Sequence, residues 1–294
     1  MVDVPPIGMT ISEPIVSSNH RRIRACRPLR IVGGAATIVL VATMLGATSC
    51  TTHGNQAGFA ERNTTPSRPR IVATTTMLGD VVRAVAGEHA DVSVLMAPGD
   101  DPHTFTLRSD QAELIDRADL IVTTGLGFES ALQPELDRAQ SPGLSIMRAA
   151  QDVAPLAGPG GDVDPHVWMD ADRLTTIASQ LGDRLATIAP EFETNWRDGA
   201  AKFGSTLAAA DESVQTLLSA VPGENRQFVT TSDGLGYFAP RYGLNPIAAT
   251  GAPGERVLNL SVDSLGPAGS ATETNAGLIV ATAARIAGWL QTGR

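Results

Sequence analysis

The chain reads as an α/β protein: two lobes with mainly parallel sheets, joined by one long helix. Three observations predict this. Four short β-branched runs alternate with helical stretches between Arg70 and Met147, the pattern of a parallel sheet covered on both faces. From Phe192 to Val221 apolar residues recur at three- or four-residue steps, which gives one helix of about thirty residues, roughly 45 Å, a spine between two lobes or else a core helix of a single domain. After Pro222-Gly223 strand and helix signals resume, so a second, thinner α/β lobe follows.

Residues 1–49 carry Arg21, Arg22, Arg24, Arg27 and Arg30, then an apolar run from Ile31 to Gly46, then Ala47-Thr48-Ser49 before Cys50. A basic segment, a short apolar run and small residues make an export signal. The run is shorter than the roughly 18 to 20 apolar residues of a spanning helix. Cys50 and its approach resemble the lipobox of bacterial lipoproteins, with Ala47 where leucine is commoner. A lipid on Cys50 would tether the chain outside the cytoplasmic membrane. Cys26 falls in the discarded segment, so no disulfide framework or cysteine metal site is expected. Residues 50–69 are rich in Thr, Asn, Ser, Gly and Pro and make a flexible tether.

The N-terminal lobe is assigned to 70–189. Arg70 to Thr76 is its first strand, followed by a helix through Asp80 that stops at Gly87. Asp91 to Leu95 is the second strand, and its carboxyl end opens into Asp101-Pro102-His103. Ser109 caps a helix to Arg117, Asp119 to Thr124 is the third strand, and Gly125-Leu126-Gly127 turns into a helix from Phe128 to Arg138. Leu144 to Met147 is the fourth strand, and a helix spans Ala171 to Ile188. The linking helix takes 190–222. In 223–294, strands are expected at Gln227–Thr231, Asn245–Ala249 and Arg256–Val262, with a last helix opening on the capping box Ser270-Ala271-Thr272-Glu273.

The chemistry concentrates in a repeated triplet. Asp101-Pro102-His103 returns as Asp164-Pro165-His166. Proline fixes its own φ and extends the residue before it, so each triplet is a stiff bend presenting an imidazole. Imidazole is the commonest metal-binding side chain, and a neighbouring aspartate can hold the ring's far N–H. His103 and His166 are therefore expected to grip one divalent cation. The 294 residues carry a net charge of −9, with no basic stripe outside the first thirty, which opposes nucleic-acid binding and suits a cationic partner. No His-Glu-x-x-His and no Gly-x-Ser-x-Gly occurs, so an enzyme is not expected.

Beyond these residues the chain resembles the solute-binding lipoproteins of ABC importers for zinc and manganese. The resemblance rests on residues 99–105, 164–170, 236–244 and 262–266. It implies an ion held in a cleft by two side chains from each lobe, with a permease and an ATPase as partners of a monomeric, extracytoplasmic, lipid-anchored protein. Carried over by position, the ligands are His103, His166 and Asp263. The remaining ligand falls on Ser232, a poor donor, so Asp233 beside it is the expected fourth. Two imidazoles and two carboxylates suit Zn2+ or Mn2+ as transported ligand. Zinc-specific relatives often carry a histidine-rich loop before the second triplet, and here that loop is Ala-Gly-Pro-Gly-Gly. The C-terminal lobe is truncated relative to the family: only Thr250 to Glu255 separates two strands where a helix-strand-helix segment is usual, a shortfall on the order of fifty residues. The alternative is a degenerate paralogue, a surface adhesion or scaffold lipoprotein with weak or no metal binding.

Overall fold

Four parallel strands in the order β2-β1-β3-β4 form the first sheet. They are β1 (Arg70–Ala73), β2 (Asp91–Val94), β3 (Leu120–Thr123) and β4 (Ser145–Arg148). The computed structural model describes residues 67–139, 144–158 and 161–292. The export signal over 1–49, the lipid on Cys50 and the tether as far as residue 66 lie outside the described residues. Among the described residues no helix is long and apolar enough to cross a membrane.

Alternation along each strand divides the core between the two faces of this sheet. Ile71, Ala73, Leu120 and Val122 face α1 (Thr76–Ala86), α4 (Ala171–Ile188) and α5 (Glu193–Ser219). Val72 and Ile121 face α2 (Ser109–Asp116) and α3 (Gln133–Arg138), with Ile115, Leu132 and Leu136 buried against them. Such β-branched strands, covered on both sides, are the expected parallel arrangement.

The long helix is α5, 27 residues or about 40 Å, preceded by a 3-10 turn at Pro190–Phe192. Trp196, Ala200, Phe203, Leu207, Ala210, Val214 and Leu218 are its buried stripe, the spacing read from the sequence. After it, β5 (Gln227–Thr230) and β6 (Asn245–Ala248) pair in parallel as a two-stranded sheet, with α6 (Phe238–Arg241) between them and α7 (Asn275–Thr292) at the end of the chain. One apolar cluster runs from Ile71 through α5 to Phe228, Leu258 and Ile279, so the two sheets share a continuous core.

Four expected elements differ. Ser109 is the first helical residue of α2, not its cap: the cap position is Arg108, whose N–H donates to Gln111 Oε1 at 3.0 Å. The helix expected from Phe128 to Arg138 is broken into a 3-10 turn at Ser130–Leu132 and then α3, because Gly125, Leu126 and Gly127 all have positive φ and the Glu129 side chain turns back to hold that bend. The strand expected over Arg256–Val262 reduces to a single parallel bridge between Thr230 and Leu258. The Thr230 hydroxyl takes the Leu258 carbonyl and Arg285 takes that of Asn259, which removes acceptors a third strand would use. The last helix begins at Asn275, five residues after Ser270, where Thr274 Oγ1 accepts the Gly277 N–H at 3.1 Å.

A charge network fastens α4, α5 and α6 together. Arg241 on α6 donates to Asp172 at 2.6 Å and to Asp211 on α5 at 2.8 Å, and lies 3.6 Å from Asp170, the cap of α4. The hydrogen bond from Arg241 is the main cause that holds the Asp211 carboxyl below its usual range. Arg241→Met is expected to destabilise the protein by about 2 kcal/mol, because the largely enclosed Asp211 loses its counter-charge, while Asp170 keeps Arg173 at 2.7 Å. A chemical-denaturation midpoint measures this, and an unchanged midpoint would make the network ornamental.

Candidate metal centre

The second triplet sits where β4 has returned the chain to the carboxyl end of the sheet, just before α4. Asp164 is buried and folds back over its own loop: Oδ1 accepts the His166 backbone N–H at 3.0 Å and the ring Nδ1–H at 2.6 Å. A carboxylate can only accept, so the Nδ1 proton is held and Nε2 becomes the nitrogen free to ligate. The aspartate of this triplet therefore orients its histidine. Its own carbonyl is pinned by the Tyr237 hydroxyl at 2.7 Å, and that hydroxyl also accepts the Leu156 N–H at 2.9 Å. Two glycines of the C-terminal half back the assembly. A Cβ on Gly236 would overlap the Asp164 carboxylate, and one on Gly234 would stand 2.9 Å from His166 Cδ2.

Asp263 comes to the other side of the ring. Its buried Oδ1 is 3.3 Å from His166 Nε2 and, among the described residues, meets no other hydrogen-bond partner. A buried carboxylate oxygen whose polar neighbour is an imidazole nitrogen is placed to share a ligand with it. The distance has a direct reading: with metal-to-N and metal-to-O lengths of about 2.0 to 2.2 Å, two ligands of a tetrahedral ion stand about 3.3 to 3.5 Å apart. Burial is the largest influence on the imidazole and pulls its pKa down, but hydrogen bonding to Asp164 and Asp263 and the charges of both lift it from 6.5 to about 9.

His103 is less constrained. It is exposed, and Asp101 binds the His103 backbone N–H at 2.8 Å and the Thr104 hydroxyl at 2.9 Å, leaving the ring unheld by its own triplet. The ring instead packs edge-on against Phe128, centroids 5.4 Å apart, and Phe128 packs against His166 at 5.9 Å and Trp168 at 4.7 Å. Asp233 is exposed and lines an apolar recess with Leu235, Pro246, Ile247 and Ala248. Ser232 lines the same recess. Among the described residues no three His, Cys, Asp or Glu side chains are grouped to hold an ion, so of the four residues singled out from sequence only His166 and Asp263 stand at ligand spacing.

Two contributors escaped the sequence reading. Phe128 wedges between the imidazoles, and the buried Glu129 beside it accepts the Thr74 hydroxyl at 2.6 Å and the Thr124 N–H at 2.7 Å. A buried glutamate with neutral donors leaves no trace in a motif. The one local hint is the Gly125-Leu126-Gly127 turn, whose strained backbone needs a side chain to hold it.

Known proteins are similar to this chain in sequence and in fold. Residues 71–280 match the family described as zinc-uptake complex component A, periplasmic (ZnuA). The manganese-binding lipoprotein MntA of Bacillus subtilis is 26% identical over 178 residues, 59% of this chain and 58% of that protein. The zinc-binding protein TroA of Treponema pallidum is 27% identical over 180 residues, 60% of this chain and 58% of that protein. The matches thus span less than two thirds of these relatives. Among solved structures, the periplasmic zinc-binding protein TroA of Treponema pallidum has a TM-score of 0.69 at 21% identity, covering 76% of this chain and 99% of that one. The manganese-bound periplasmic metal-binding protein of Candidatus Liberibacter asiaticus has a TM-score of 0.67 at 18% identity, covering 75% and 98%. With parallel sheets, a long helix and a family match over well more than half its length, the chain belongs to the ZnuA family of metal-binding solute-binding proteins.

Proposed function

We propose that the protein captures one divalent transition-metal ion, Zn2+ or Mn2+, outside the cytoplasm and delivers it to the permease and ATPase of an ABC importer. The observation that carries this reading is the buried Asp263 Oδ1 facing His166 Nε2 at 3.3 Å, the spacing of two ligands on one ion. His166 and Asp263 are the two ligands we assign first. His103 is the third, reaching the ion by a rotation of its exposed ring about the Phe128 contact. Asp233 becomes the fourth if its loop turns from the recess toward Gly234, whose face already touches His166. An acyl group on Cys50 would keep the monomeric protein at the membrane surface, with the body formed by a lobe at 70–189, the linking helix and a lobe at 223–294.

The relatives' names support both metals equally: MntA is called manganese-binding and TroA zinc-binding. Binding rather than hydrolysis fits a chain whose family is the capture component of a transporter. Calorimetric titration of metal-stripped protein with ZnCl2 and with MnCl2 tests the reading. One-to-one binding at micromolar affinity or tighter is expected for at least one of the two metals. The exposed Asp233 favours a second reading, a surface scaffold that has lost its cargo, and absence of heat with both metals from folded protein would select it.

A further inference from the structure

The Asp263 tip is bolted down at both ends, and the two bolts lead to different histidine loops. Val262 and Leu265 are buried on either side of Asp263-Ser264, which leaves a two-residue tip between two core anchors. On the side of the second triplet, Trp168 Nε1 donates to the Val262 carbonyl at 2.7 Å. On the other side the Leu265 N–H donates to Thr76 Oγ1 at 2.8 Å, at the first residue of α1. Ser264 completes this second bolt: its hydroxyl donates to the Leu265 carbonyl at 3.1 Å, accepts the Gly99 N–H at 2.9 Å, and lies 3.4 Å from the Thr76 hydroxyl.

Gly99 belongs to the loop that ends in His103. That loop is stiffened from within, because Asp100 accepts the Ala97 N–H at 2.8 Å and Asp101 accepts that of His103 at 2.8 Å. A displacement of the Asp263 tip away from α1 must therefore break the Gly99 and Leu265 hydrogen bonds together and loosen the backbone that carries His103. None of Thr76, Ser264 and Gly99 is a ligand in the reading above.

We infer that Thr76 and Ser264 form a clasp that positions Asp263 opposite His166 and ties it to the His103 loop, so that the clasp sets how fast a captured ion is released. The inference rests on the proposed metal-binding reading. Thr76 is the positioning residue, acting on Asp263 through Leu265. Losing its oxygen removes one hydrogen bond directly and frees Ser264 to drop a second, a loss that corresponds to about a tenfold change at ordinary hydrogen-bond strengths.

The test uses zinc alone. The protein is loaded with one equivalent of Zn2+ and mixed rapidly with excess chelator, and release is followed by the chelator's absorbance. Thr76→Val, which keeps the shape and removes the hydroxyl, is expected to release zinc about tenfold faster, whereas Thr76→Ser, which keeps the hydroxyl, should release at the unsubstituted rate. The thermal midpoint of the metal-free protein should fall by only a few degrees in Thr76→Val and stay unchanged in Thr76→Ser. Release from Thr76→Val at the unsubstituted rate overturns the clasp, as does equal acceleration in Thr76→Ser. If Thr76→Val does not fold, Ser264→Ala carries the same expectation and the same outcome against it. An unsubstituted chain that binds no zinc overturns the clasp as a control on zinc release, and one that binds no manganese either overturns the metal-binding reading as well; one that binds zinc while neither hydroxyl matters overturns the clasp alone.

Discussion

His166→Gln is expected to weaken Zn2+ or Mn2+ binding by about 100-fold or more, beyond the 10- to 100-fold typical of losing a residue that merely supports a ligand. The amide roughly preserves volume and can still donate a hydrogen bond toward Asp164, so the loop should keep its shape while the ligating nitrogen is lost. The Asp263 oxygen 3.3 Å away would then have no basic nitrogen opposite it. Competition against a chelator of known affinity measures the change, with circular dichroism confirming the fold. Affinity within threefold of the unsubstituted protein would remove His166 from the site and leave its pairing with Asp263 without a role. His103→Gln makes an instructive comparison, since that ring is exposed and held only by Phe128.

Metal affinity and metal-free stability are expected to move in opposite directions with pH. His166 is raised from 6.5 to about 9 in the folded protein. A histidine whose folded pKa is raised contributes stability that is complete below pH 6.5 and disappears as pH rises through about 9. The two values imply a contribution on the order of 3 kcal/mol, and the small exposure of the side chain, 8%, means little screening by solvent. A metal must expel the Nε2 proton, so affinity should rise about tenfold per pH unit over the same window, roughly 100-fold between pH 6.5 and 8.5. Denaturation of metal-free protein and chelator competition at matched pH values give the two curves. Parallel slopes, or a flat affinity profile, would contradict an imidazole held between Asp164 and Asp263. The window lies higher than an ordinary histidine would set, because two carboxylates flank this ring and its burial alone would have lowered it.

Gly234 and Gly236 explain why such a site is narrow in its tolerance. Both glycines come from the segment between β5 and α6, far along the chain from the second triplet, and neither position leaves room for a Cβ against the residues of the site. The site is thus a contact between halves of the molecule, not a property of either loop. The same holds for Trp168, which lies two residues beyond His166 and grips the carbonyl immediately before Asp263.

Much of this protein is written in local pattern. The β-branched runs at β1 to β4, the apolar stripe of α5 and the stop of α1 at Gly87 follow from side-chain periodicity and backbone conformational preference, which act within a few residues. The doubled Asp-Pro-His triplet is local too, and it marked His166 and the orienting role of its aspartate. Tertiary structure decided the rest, because the deciding contacts join residues far apart in sequence. Arg256–Val262 has strand composition, but a strand exists only where a neighbour offers donors and acceptors, and Thr230 and Arg285 had already taken the carbonyls. Asp233 and Asp263 look alike as isolated letters. Val262 and Leu265, buried on either side, carry Asp263 to His166, while the open turn after β5 leaves Asp233 facing an apolar recess.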